Sequence, residues 1–228
     1  MFSNLRAQVF TYTFADVLNG TSDSSAGGSA DHMTFSSFTA EGVSTQANAG
    51  GVFSFTGWPT GAKDGSDEFS GTLNAAAYYE FTITPEAGYA LSLTSLTFGA
   101  GRSSTGPRQF SLRSNAGADG FATNLTGAAS NTNISVTGGN IFQFVDNNSS
   151  STYAGNSVTL TGGDFTDVTA AITFRLYAFN AEAGGSFRID NFAISGSASA
   201  IPEPSTYVTI AAICAFAGVL GVRRRHGS

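Results

Sequence analysis

The stretch Ile172-Thr173-Phe174-Arg175-Leu176-Tyr177 decides the fold class. Ile172, Phe174 and Leu176 fall on one side of an extended chain, and Thr173, Arg175 and Tyr177 on the other. A period of two is the mark of a β-strand with one face in a core. The same pattern spreads outward along the chain. Phe10, Tyr12 and Phe14 alternate with Val9, Thr11 and Thr13, and Tyr79, Phe81 and Ile83 alternate with Glu80 and Thr82 before Pro85. Phe110 with Leu112, Ile134 with Val136, Ile141–Val145 and Val158 with Leu160 add further short runs. Tyr89, Leu91 and Leu93 keep step, but the next apolar residues are Leu96 and Phe98. That three-residue step predicts a β-bulge near Thr94-Ser95. Phe187 and Ile189 are followed by a similar step to Phe192 and Ile194. Between the runs lie Gly27-Gly28, Asn115–Gly120, Gly138-Gly139 and Gly184-Gly185, the residues that turns require. Ten or eleven short strands and almost no helical periodicity predict an all-β body over residues 1–195. Its expected architecture is a two-layer antiparallel β-sandwich, jelly-roll-like.

Composition agrees with a packed domain. Charged residues make up 11% of the chain, hydrophobic ones 41%, and 20 Phe argue against disorder. Gly, Ser, Thr and Asn fill 97 of 228 positions, well above an ordinary globular share. One Cys excludes a disulfide scaffold and a multi-cysteine zinc site. Residues 1–201 carry seven basic side chains against fifteen acidic ones, a net of −8, with Lys63 the single lysine. Such a body is a poor counterion for phosphate, so no nucleic-acid partner is expected.

From residue 196 the character changes. Gly196–Ala200 is a run of small residues, read with Ile201 as a linker over 196–201. Pro202-Glu203-Pro204-Ser205-Thr206 comes next, and then Tyr207–Val222 without a charge. Sixteen helical residues span roughly 24 Å, and the segment has no polar stripe. Arg223, Arg224 and Arg225 stand directly after it, as in a stop-transfer segment held on the cytoplasmic side. The expectation is a single C-terminal transmembrane helix over 207–222, with the body outside and the arginines inside.

Pro202-Glu203-Pro204, a short apolar helix and an arginine cluster, in that order over residues 202–226, resemble the PEP-CTERM sorting signal of exported bacterial proteins. The resemblance implies recognition by an exosortase in the bacterial inner membrane, with transient anchoring, removal of the tail and delivery to the cell surface or extracellular matrix. It assigns Pro202, Glu203 and Pro204 to recognition and Arg223–Arg225 to retention. Flanking prolines hold such a segment extended and deny it helix. Proteins of this kind carry a signal peptide, whereas Met1–Gly20 has no run of seven apolar residues. The leader is therefore expected upstream of Met1.

Chemistry-bearing residues are sparse. His32 and His226 are the only histidines, and there is no Gly-x-Ser-x-Gly elbow, phosphate loop or dinucleotide fingerprint. His32 reads as an exposed loop residue, and the chain as non-enzymatic. Asp64, Asp67, Glu68, Glu80 and Glu86 are the carboxylates on which a two-carboxylate glycan hydrolase would depend. Trp58 and Tyr79 are candidate sugar-stacking aromatics if exposed, which makes a carbohydrate-binding module for exopolysaccharide the alternative reading; against it stands Trp58 as a core or loop-packing residue. Arg102, Arg108 and Arg113 flank Ser103–Pro107 and are candidates for contact with anionic polysaccharide. Phe187-Arg188-Ile189-Asp190-Asn191-Phe192 resembles the closing strand of jelly-roll modules that bind carbohydrate. That resemblance implies a structural calcium held by Asp190 with Asp16, against which stands the reading that Asp190 and Asn191 cap a bulge. Calcium seeks six to eight oxygens.

Overall fold

The computed structural model describes residues 7–17, 24–45, 50–63, 66–117, 120–145 and 151–202. The chain opens with short strands: β1 (Gln8–Tyr12), β2 (Ser24–Ser25), β3 (Gly28–Ala30), β4 (Met33–Phe35), β5 (Phe38–Glu41), β6 (Ser44–Thr45) and β7 (Phe53–Thr56). Three longer strands come next, β8 (Tyr78–Pro85), β9 (Tyr89–Arg102) and β10 (Pro107–Ser114). The remainder is β11 (Gly127–Ala129), β12 (Ile134–Thr137), β13 (Ile141–Phe144), β14 (Thr152–Thr159), β15 (Ile172–Ala181) and β16 (Phe187–Ala200).

These strands form two antiparallel sheets, and the body is an all-β sandwich. The seven-stranded sheet runs β11-β14-β9-β16-β7-β6, with β1 also on β16. The nine-stranded sheet runs β12-β13-β10-β15-β8-β4-β3, with β5 on β8 and β2 on β5. The strand that decided the class is central. β15 pairs with β8 through Ile172↔Ile83 and with β10 through Leu112↔Leu176. Its Ile172, Phe174 and Leu176 are buried, as their spacing requires.

The core between the sheets is built of phenylalanine rings. Phe98 from β9 meets Phe110 and Phe142 of the opposite sheet at centroid distances of 6.1 and 5.8 Å. Phe38 and Phe81 of the nine-stranded sheet meet Phe192 of β16 at 5.5 and 5.1 Å. Edge-to-face and offset pairs of this kind add to the gain from area burial alone.

Both steps in the apolar pattern are bulges. On β9, Ser95 faces Ser195 while Leu93 faces Gly196, which leaves Thr94 as the extra residue. On β16, Asp190 faces Gly99 and Ala193 faces Thr97, so one residue too many lies between. Asn191 absorbs it with φ 46°, a left-handed conformation that Asn tolerates.

The expected linker is corrected by the strand pairing. Gly196–Ala200 continues β16 and pairs residue by residue with β9, from Gly196↔Leu93 to Ala200↔Tyr89. Small side chains suit this edge of the core because β9 supplies the bulk. A Cβ on Gly196 would lie 2.9 Å from Leu93 Cδ2. Among the described residues no helix is long and apolar enough to cross a membrane. The predicted helix over 207–222 lies outside them.

Candidate functional site

The place where the chain leaves the sandwich is built by the β8–β9 turn and the end of β16. Ala200 pairs with Tyr89, and the Ile201 N–H donates to Gly88 O at 2.8 Å. Ile201 and Pro202 are exposed. The surface beside this exit is ordered by His32, which sits at the β3–β4 turn with φ 62°. Its ring stacks on Tyr89 at 3.6 Å, and its Nδ1 lies 3.1 Å from Glu86 Oε2. His32 is thus a surface residue held by two neighbours. Of the sorting residues, Pro202 is described, whereas Glu203, Pro204, Arg223, Arg224 and Arg225 lie outside the described residues.

Trp58 and Tyr79 are brought together, but inside the core. They are 3% and 1% exposed, and their rings meet edge to face at 5.0 Å. Trp58 Nε1 donates to Phe55 O at 2.8 Å, and the Tyr79 hydroxyl donates to Phe187 O at 2.8 Å. Burial pushes the Tyr79 hydroxyl well above its ordinary pKa. Neither ring has a face for a sugar, which corrects the expectation of ligand contact. The polar tips of both rings find backbone carbonyls, and this lets such large amphipathic side chains pack internally.

Asp16 and Asp190 play local roles. β1 and β16 are neighbours, with Tyr12 opposite Phe192. Asp16 lies in the turn beyond β1, where it accepts hydrogen bonds from the Ser25 hydroxyl and the Ala26 N–H, both at 2.6 Å. Burial works against its charge, but these hydrogen bonds outweigh burial and hold the carboxyl below its usual pKa. Asp190, half-buried opposite Gly99, begins the β16 bulge. Among the described residues no group of three or more His, Cys, Asp or Glu converges.

The arginines reverse a second expectation. Arg102 and Arg108 are 1% and 2% exposed and enter the end of the sandwich from facing sheets. Arg102 donates to Gly106 O at 2.7 Å, and its Nη2 lies 3.3 Å from Glu182 Oε1. Arg108 Nη1 stands 3.6 Å from the same oxygen, and its Nη2 pairs with Asp67. Among the described residues, two guanidinium groups and two carboxylates therefore meet at one end of the core. Strand alternation carried the signal: Arg102 follows Phe98 and Ala100 in register, and Arg108 precedes Phe110 and Leu112. Arg113 is half-buried, with its guanidinium 2.7 Å from Asn124 Oδ1 and 3.0 Å from Phe121 O.

The carboxylates singled out for hydrolysis hold basic partners. Glu68 pairs with Lys63 at 3.2 Å, Glu80 with Arg175 at 2.6 Å, Glu86 with His32, and Asp67 with Arg108. Arg175 also lies over the rings of Tyr78 and Phe121 at 4.1 and 4.2 Å. Asp64 is outside the described residues. No family model matches this chain, and neither a curated protein nor a solved structure matches it.

Proposed function

We propose that this chain is an exported, non-enzymatic protein of the cell surface or extracellular matrix. In this reading the jelly-roll-like sandwich is the cargo, and the segment from Pro202 onward is a PEP-CTERM-like signal processed by an exosortase. The single observation that carries the reading is the end of β16. The ladder reaches its last backbone bond at the Ile201 N–H, and the next residue is a proline. Proline has no N–H to donate and a fixed φ, so it cannot continue the ladder. Ile194 is the last fully buried apolar side chain among the described residues, and Ala198 the last partly buried one. Among the described residues, core and ladder thus reach their last contacts just before Pro202, which suits a recognition segment placed beyond a finished domain.

The test is a truncation after Ile201. Its thermal midpoint is expected within about 2 °C of the full chain's, since in this reading the tail adds nothing to the core. At this size about 1 kcal/mol shifts the midpoint by ~2–4 °C. A fall of more than about 5 °C, or failure to fold, would make the tail part of the folded unit. A second reading, polysaccharide recognition by the body, cannot run through Trp58 and Tyr79 and needs a solvent-facing site elsewhere on the sheets.

A further inference from the structure

We propose that a groove on the outer face of the seven-stranded sheet is a binding site for an uncharged saccharide unit. The groove, about 350 Å³, crosses β9 between the bulge of β14 and the bulge of β16. Its lining includes Thr97, Gly99, Ser130, Gly155, Ser157 and Asn191. The volume lies at the lower end of the ~300–1,000 Å³ typical of small-molecule sites.

Two bulges make the walls. Between Tyr153 and Asn156 the register of β14 on β9 shifts, with Gly155 at φ 85°. On the other side Asn191 steps out of β16 and is exposed. Gly99, between them, leaves the floor without a side chain. It also lets Thr152 pack closely, since a Cβ there would stand 2.9 Å from Thr152 Cγ2.

The walls are fixed from below by a buried amide. Asn156, 1% exposed, donates through Nδ2 to Phe98 O at 3.2 Å and to Tyr153 O at 2.7 Å. Its Oδ1 accepts from Asn131 Nδ2 at 3.3 Å. Asn131 in turn donates to Ala154 O at 2.9 Å and accepts from the Asn133 and Ile134 N–H groups. This chain of amides ties the β11–β12 loop to the β14 bulge, so the groove is preorganised and less ordering cost falls on a ligand.

The chemistry of the lining selects the ligand class. Thr97, Ser130 and Ser157 offer hydroxyls, and Asn191 offers a primary amide. Thr97, Ser157 and Asn191 can both donate and accept, as sugar hydroxyls do. Ser130 Oγ donates to Gly155 O at 3.1 Å, which orients its lone pairs for accepting. Among the described residues no charged side chain is part of the lining; Asp190 stands beside it, opposite Gly99, and a body of net charge −8 repels anionic glycans. The one aromatic in the lining, Phe98, is buried in the core, so recognition runs through hydrogen bonds rather than ring stacking. The groove owes nothing to the C-terminal segment, and its failure would leave the export reading untouched.

The test uses the full chain in a mild detergent and a panel of uncharged gluco-, galacto-, manno- and N-acetylglucosamine oligosaccharides, read by calorimetry and by NMR shifts. At least one is expected to bind with a Kd of about 0.1–10 mM, unchanged by added NaCl. Ser157→Phe, which fills the groove, is expected to weaken that binding at least about tenfold, a ~1.4 kcal/mol change, with the thermal midpoint unchanged. Thr97→Tyr, at the exposed β9 position paired with Ser157, gives the same result should Ser157→Phe fold poorly. Absence of binding by the whole panel at about 10 mM, where even a ~1 mM Kd would saturate, overturns the proposal. Binding that survives both substitutions, or that appears only with charged glycans and fades with salt, also overturns it.

Discussion

Glu182→Ala is expected to lower the stability of the sandwich by about 3–5 kcal/mol, the cost of leaving a buried ion pair half broken. The Glu182 side chain is 5% exposed, and one of its oxygens faces both Arg102 and Arg108. Removing it leaves two arginine side chains, each 2% exposed, at the end of an aromatic core, where the other carboxylate of the cluster among the described residues, Asp67, is 63% exposed and on the Arg108 side. Arg102 then keeps the carbonyl of Gly106 but loses Glu182 as a counter-charge. The low dielectric that strengthens the intact cluster makes the broken one costly. Lys63→Ala provides the contrast. Its pair with Glu68 is open to solvent, and such pairs are worth about 0–1 kcal/mol. Urea denaturation of the two variants checks the contrast. Equal and small losses would show that the cluster is solvated and not structural.

Phe192→Ala is expected to cost about 3–5 kcal/mol, as truncation of a fully buried ring usually does. Phe192 lies directly after the β16 bulge and is fully buried. Its ring stacks on Phe98 at 5.3 Å and meets Phe38 and Phe81 of the opposite sheet. The substitution therefore opens a void where both layers and β1, paired at Tyr12, come together. Phe192→Leu should recover a large part of the loss, because it restores most of the volume without the ring contacts. The urea midpoint of each variant measures the difference. A loss under about 1 kcal/mol for the alanine variant would mean that the site collapses freely, contrary to a close-packed core.

Much of the sandwich was legible because period-two alternation is a direct consequence of strand geometry. Ile172, Phe174 and Leu176 announced a half-buried strand, and the missed beat after Leu93 announced the bulge at Thr94. The beat from Ile189 to Phe192 did the same for Asn191. Legibility failed where composition was allowed to outweigh alternation. Gly196–Ala200 looked like a linker because it lacks bulk, yet a strand pairs through its backbone, and Leu93 fills the space above Gly196. Arg102 and Arg108 looked like surface charge because arginine usually is. Their phase relative to Ala100 and Phe110 put them inside. For Trp58 two readings stood side by side, packing and sugar contact, because a Gly-rich neighbourhood says nothing about whether the loop folds back over the core; it does so to reach Phe55 O, and packing is the one that holds. The groove over Gly99 was beyond sequence reading, since it depends on two bulges from strands far apart in the chain meeting across β9.

The central claim is that the chain is finished as a folded object at Ile201 and that the residues from Pro202 onward serve as an address. The most direct measurement is the mass of the C-terminal peptide of the protein recovered from the surface of a host that exports it and carries an exosortase. The account predicts an end at or near Pro202–Pro204, with Tyr207–Val222 and Arg223–Arg225 removed. A surface-localised protein still ending in Arg223-Arg224-Arg225-His226-Gly227-Ser228 would contradict it.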